Sequence, residues 1–186
     1  MTAAFRNAPV DSGWLDLGVV RCGGAAHGDF AVLFISGRRH SLPMETTHSA
    51  KLRQQTLYLP SLVFFGIASS FWVWSIKDDL LKPGSQLFHA PLPNVFGNGS
   101  ICWGTNKPPR AGASTIAQAW TLFASSPFNG HAADNKARSQ PRDVRVLLNK
   151  VAGSGRKFPL RELLPFGYTV DAIVNELIGG VIDGFN

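Results

Sequence analysis

The chain has 186 residues, of which 45% are apolar, 16% charged and 11% aromatic, enough for one compact domain over 1–186 and unlike a disordered, collagenous or coiled-coil chain. Its two cysteines, Cys22 and Cys102, are 80 positions apart and in no CxxC or Cys/His cluster, which excludes a disulfide-stapled scaffold, gives no zinc site and favours a cytoplasmic home. The formal charge of +6 invites a nucleic-acid reading, and the distribution of that charge decides its worth.

The opening MTAAFRNAPVDSGWLDLG lacks the apolar core of a signal peptide, so none is read there. From Trp14 to Leu42 short apolar runs alternate with glycines, the pattern of two or three strands in a meander. Residues 43–56 (PMETTHSAKLRQQT) read as a polar loop. The run Leu57–Ile76 carries no charge over 20 residues, the length of a membrane span. Pro60, Gly66 and Ser69-Ser70 break it into short pieces rich in Val, Phe and Trp, which predicts two core strands joined near Gly66–Ser70. Lys77–Gly84 is turn chemistry, and Gln86–Ala90 fits a last short strand. Pro91–Gly112 holds four Pro, four Gly and three Asn, a long loop of the kind that carries function.

Helical spacing dominates from there on. Ser114 or Thr115 caps a helix with Ile116, Ala119, Trp120 and Phe123 on one face, ending before Ser126-Pro127. A second helix is predicted over Arg142–Val151, with Val144, Leu147, Leu148 and Val151 inward and Gly153 as its stop. The last runs over Val170–Ile178 from a Thr169 cap to Gly179-Gly180. Strands first and helices after is an α+β order. No repeat, phosphate-binding glycine signature, HExxH or GxSxG occurs, so neither cofactor nor metal is implied.

Between Lys136 and Arg161 eight bases stand against the single acid Asp143. Without interleaved aromatics for base stacking, this segment reads as a solvated helix face or a docking surface for an acidic protein, not as a nucleic-acid site. His27, His40 and His48 have no ligand spacing and are read as solvent-exposed, Cys22 as structural, and His89 as a strand residue that can line a site.

Residues 91–104 read PLPNVFGNGSICWG. Pro93-Asn94-Val95-Phe96 precedes Asn98-Gly99, and Cys102 follows eight residues after Asn94. In order, residue type and spacing this resembles the active-site segment of ubiquitin-conjugating enzymes: His-Pro-Asn, an aromatic, an Asn-Gly turn, then the thioester-forming Cys. The longer pattern over about Thr56–His131 is similar to the bacterial branch called prokaryotic ubiquitin-conjugating family D, which takes in the PRTRC system protein B proteins.

The resemblance implies a ubiquitin-conjugating-enzyme-like fold, an antiparallel meander followed by packed helices. It also implies an acyl carrier in which Cys102 accepts a ubiquitin-like protein from an activating enzyme as a thioester and passes it to an amine. A thiolate takes an acyl group from another thioester at little thermodynamic cost and leaves it reactive towards amines, so one accessible Cys suffices. Asn94 supplies an amide, either to the oxyanion or to the backbone that holds the loop. Pro93 fixes the start of the loop, and Asn98-Gly99 supplies the turn that returns the chain to Asn94.

Implied partners are a ubiquitin-like protein, a ThiF-like activating enzyme and often a JAB-type metallopeptidase, in plasmid or antiphage cassettes; the basic 136–161 stretch is then a candidate surface for one of them. Leu92 stands where the family has His, so packing of Leu92 is expected to hold the loop. Trp103 and Gly104 follow the Cys where the eukaryotic enzymes often carry an apolar residue and an acid, which leaves His131, Asp134 and Asn129 as the available substitutes for the acid that tunes the incoming lysine. The amphipathic N-terminal helix of eukaryotic members has no counterpart in the first 20 residues. Two other readings stay open: a cysteine hydrolase using Cys102 with His131 or His89, and a non-catalytic binding module on the same fold.

Overall fold

In the computed structural model, which describes residues 15, 17–46 and 49–180, the chain enters its main sheet through β1 (Val19–Ala25) and β2 (Gly28–Ile35), an antiparallel pair closed at Ala25–Gly28. The next strand leaves that sheet. β3 (Arg39–Thr46) and β4 (Ser49–Tyr58) form a separate two-stranded hairpin, in register from Arg39–Tyr58 towards Thr46–Ser49. The stretch 43–56, expected as a polar loop, is therefore mostly strand. Met44 within it, and Leu42 and Leu57 at its two ends, are buried on one face, while Ser41, Gln54 and Thr56 on the alternate face are exposed, so much of its polar composition reflects a wetted face. The free side of β3 is also occupied: Phe128 N–H donates to the Pro43 carbonyl and Glu45 N–H to that of Phe128, both at 2.8 Å.

The charge-free run folds as its breakers predict. β5 (Ser61–Ile67) and β6 (Ser70–Ile76) pair along their whole length across the turn Ala68-Ser69. β5 is buried throughout because the sheet is covered on both faces. Leu62 and Phe64 join the larger core with Trp120 and Phe123, and Val63, Phe65 and Ile67 join a second core with Ile173, Val174 and Leu177. β7 (Gln86–His89) adds to β6 through Trp74–His89 and Ser75–Phe88. Among the described residues no helix is long and apolar enough to cross a membrane.

α1 (Ile116–Ala124) buries the four residues its spacing selects. Thr115 is its N-cap but makes no side-chain cap bond; the hydroxyl donates instead to the Arg110 carbonyl at 2.6 Å. α2 (Val144–Ser154) starts two residues later than predicted, with Asp143 as its N-cap, whose carboxylate accepts from Arg145 N–H at 2.9 Å. It runs through Gly153 and stops at Gly155, which takes the left-handed conformation (φ +65°) that ends a helix. α2 packs on β4, and Gln55 bonds Asn149 across that contact.

β8 (Pro165–Thr169) was not legible as a strand: PFGYT contains Pro and a positive-φ Gly167, both turn signals, yet it forms the sheet edge against β7. α3 (Val170–Gly179) follows, capped by the Thr169 hydroxyl, which accepts from Ala172 N–H at 3.3 Å. The six-stranded antiparallel sheet thus has the order β1-β2-β5-β6-β7-β8, with α3 on one face and α1, α2 and the β3–β4 hairpin on the other.

Two sequence expectations are corrected by burial. Lys136 is 2% exposed and Arg145 is largely covered between Asp143 (2.8 Å) and Glu45 (3.7 Å), so the basic segment is not uniformly a solvated face. His40 is buried edge-on against Trp120, because it lies on the inward side of β3 with Leu42 and Met44. His27 is exposed, as read. His48 and most of the stretch in which the N-terminal helix was read as missing lie outside the described residues.

Candidate functional site

Residues 90–106 leave β7 and fold back onto the free half of β6. Leu92, expected to hold the loop by packing, has no exposed surface and lies in the larger core; Pro93 beside it is buried too. Asn94 comes next, in the left-handed region at φ +59°, where Asn is tolerated better than most residues because its short polar side chain can bond locally.

Three hydrogen bonds meet at Asn94. Its N–H donates to the His131 carbonyl at 2.8 Å, its carbonyl accepts from Cys102 N–H at 2.9 Å, and its amide Nδ2 donates to the Pro127 carbonyl at 2.9 Å. Of the two roles open to this amide, holding the loop is the one its bond serves.

Between Asn94 and Cys102 the chain makes a narrow ribbon. Val95 bridges Ile101, Phe96 N–H donates to Ser100, and Gly99 N–H returns to the Phe96 carbonyl at 2.9 Å. Asn98 shapes the turn by accepting from both N–H and Oγ of Ser100, at 2.9 and 2.7 Å. Gly99 has φ +88° and lies directly on the Trp74 indole, where a Cβ would overlap the ring. Val73 N–H donates to Gly99 (2.9 Å) and Ile101 N–H to Phe71 (3.0 Å), which pins the ribbon to β6. The register sets Cys102 opposite Asn94.

The Cys102 thiol is free and half-buried. It opens, with Asn94, Trp103, Asn106, Asn129 and His131, into a cleft of about 390 Å³. Trp103 forms one wall, edge-on to Phe71 at 5.4 Å and packed on Phe123 at 5.9 Å. His131 is exposed; its ring meets Phe96 edge-on at 5.5 Å, and its N–H donates to Asn129 Oδ1 at 2.8 Å. Arg145 supports this loop from below: its guanidinium lies under Gly130.

Of the residues singled out from sequence, Asn94, Cys102, Trp103, Asn129 and His131 share the cleft. Asn98 instead lines a second hollow with Phe96 and Trp103, and Gly99 is buried against the Trp74 ring. Asp134 is exposed outside the cleft and takes a bond from Asn135. His89 does not line it either; the ring is half-buried against Phe166, and burial followed by the charge of Lys136 lowers its pKa.

Two cleft features escaped the sequence reading. Asn106 Nδ2 donates to Ser126 Oγ at 2.9 Å, closing the far wall, although Asn106 lies in the loop already marked as functional. Lys136 reaches the ribbon from the core side and donates to the Phe96 carbonyl at 3.0 Å. Its burial pulls its pKa down to about 8, against a smaller raising effect of Asp134. Among the described residues no group of three or more His, Cys, Asp or Glu is placed to hold a metal.

Compared with known families, residues 1–166 match the model described as Prokaryotic E2 family D. No curated protein and no solved structure matches the chain.

Proposed function

The chain belongs to the prokaryotic E2 family D, and from that membership we propose that it is a ubiquitin-conjugating-type acyl carrier working through Cys102. Membership implies dealings with a ubiquitin-like protein and its activating enzyme; the thioester step and its residues are our reading. The Cys102 thiolate attacks the thioester carbonyl of the activated ubiquitin-like protein, a new S–C bond forms, the carbonyl's bond to the donor sulfur breaks, and the donor leaves as a thiolate that takes its proton from solvent. A lysine amine then attacks the same carbonyl, the S–C bond breaks, Cys102 departs as thiolate, and the amine proton passes to His131 or water.

One observation supports this reading above the others: the only cysteine of the 91–112 loop opens into a cleft whose other side is His131, 29 residues away in sequence, with the backbone of Asn94 bonded to both. The half-buried thiol suits a carrier, since the acyl group must reach it while water is kept partly out. We place the carrier in a conjugation cassette with a ThiF-like activating enzyme, a JAB-type metallopeptidase and a phage-defence or plasmid-maintenance setting.

The test is intact mass after incubation with the neighbouring activating enzyme, ubiquitin-like protein and ATP. A dithiothreitol-sensitive adduct that maps to Cys102, and a stable oxyester or no adduct in Cys102→Ser, is the expected result. A reducible adduct on Cys102→Ser, or none on the parent with both partners active, refutes it and leaves the binding-module reading. The hydrolase reading draws on the same closeness of His131, and predicts that an acyl probe labels Cys102 only while His131 is present.

A further inference from the structure

Lys136 is the one lysine the fold buries beside the proposed site, and its surroundings do not explain it as a stabilising residue. It is 2% exposed, its ammonium donates to a backbone carbonyl, and among the described residues no carboxylate is ion-paired with it. The titratable groups that face it are Asp134 on its own segment and His89 on β7. A buried ammonium without a bonded carboxylate is costly, and an apolar chain of similar length would serve stability better. What the ammonium holds is the Phe96 carbonyl, which also closes the turn with Gly99 N–H.

Phe96 is 40% exposed, so little else fixes it from the solvent side, and its ring meets His131 edge-on. We propose that Lys136 is a positioning residue of the Cys102 cleft, pinning the Phe96–Gly99 turn from the core side so that Phe96 holds the His131 ring at the cleft wall. Its consequence for transfer rests on the carrier reading above; its structural content does not. Lys136 touches no reacting atom and acts through Phe96. A charge-assisted bond to one carbonyl is stronger and shorter than a neutral one, so the pin loosens as the ammonium loses its proton.

Two measurements test this, and neither needs the activating enzyme or the ubiquitin-like protein, so failure here is separate from failure to form an adduct. The first is the iodoacetamide alkylation rate of Cys102 in Lys136→Met at pH 7, read by peptide mass against Cys22 in the same molecule. A threefold or greater change in the Cys102 to Cys22 ratio is expected, and an unchanged ratio in the folded variant overturns the proposal. The second uses the unaltered chain and decides the matter if the variant does not fold. As pH rises through about 8, the Gly99 amide and the His131 ring resonances should shift with the midpoint of the Lys136 ammonium signal. Resonances that stay fixed while Lys136 titrates overturn it.

Discussion

Replacing Asn94 by Asp changes one atom pair and keeps the rest of the turn. Asp tolerates the left-handed backbone at φ +59° about as Asn does, so the effect isolates the amide. In the parent, Nδ2 donates to the Pro127 carbonyl at 2.9 Å in a site where Asn94 is 8% exposed. At pH 7 the carboxylate brings an acceptor to an acceptor: the hydrogen bond is lost, about 0.5–1.5 kcal/mol, and a buried acceptor is left unsatisfied, about 1–3 kcal/mol. The expected loss is roughly 2–4 kcal/mol, read as a lower urea midpoint at an unchanged m-value.

The sign of its pH dependence is fixed by the same contact. The facing carbonyl and the burial favour the protonated acid, so the folded pKa of this Asp lies above its unfolded value. The deficit is then complete above the folded pKa and shrinks as pH falls through it towards the unfolded value near ~4, where the acid can donate to Pro127 as the amide did. Unfolding at pH 7 and pH 4.5, each relative to the parent at the same pH, gives both numbers. A variant as stable as the parent at pH 7, or a deficit that does not shrink at pH 4.5, would mean that the amide does not hold this loop.

Gly99→Ala combines a left-handed alanine, about 1–2 kcal/mol, with overpacking against Trp74, about 1–3 kcal/mol; a urea midpoint within error of the parent contradicts that contact. His40 is held neutral, its pKa lowered to about 4 by burial and then by Arg38, with Nε2 lacking a partner among the described residues. Its folded pKa lies below the unfolded value of about 6.5, so its contribution is present above that value and lost as pH falls through the folded one, at most about 3 kcal/mol. His40→Phe should flatten the fall in stability between pH 7 and pH 4.5, and equal slopes refute the assignment. Arg145→Met removes the brace under Gly130 and leaves Asp143 and Glu45 unpaired; a loss of about 1–2 kcal/mol is expected for these partly covered pairs, with a midpoint equal to the parent's counting against it.

What the sequence made legible was local. The breakers in 57–76 and the helical spacing of α1 and α3 are properties of neighbouring residues, and the folded elements follow them closely. The spacing from Pro93 to Cys102 placed the thiol opposite Asn94, because the turn chemistry of Asn98-Gly99 determines how far the ribbon extends before it returns. Pairing against distant partners was not legible. β3 and β4 are polar because their outer face is wet, and β8 contains Pro and Gly yet is held by β7. Lys136 and Arg145 looked like their exposed basic neighbours; only the tertiary fold places one under Phe96 and the other between two carboxylates.

β7 covers only the Trp74–Ser75 half of β6, and the ribbon before Cys102 takes the remaining half through Val73 and Ile101. The loop that carries the thiol is therefore also the guard of an otherwise open strand edge beside a cluster of aromatic side chains. Any motion that widens the site for a bulky acceptor must bare those backbone groups, and bare edges of this kind recruit other chains. Mobility of the loop and the tendency to aggregate are thereby coupled, and the rate at which the Val73 and Ile101 amide protons exchange with solvent measures how often the guard is lifted.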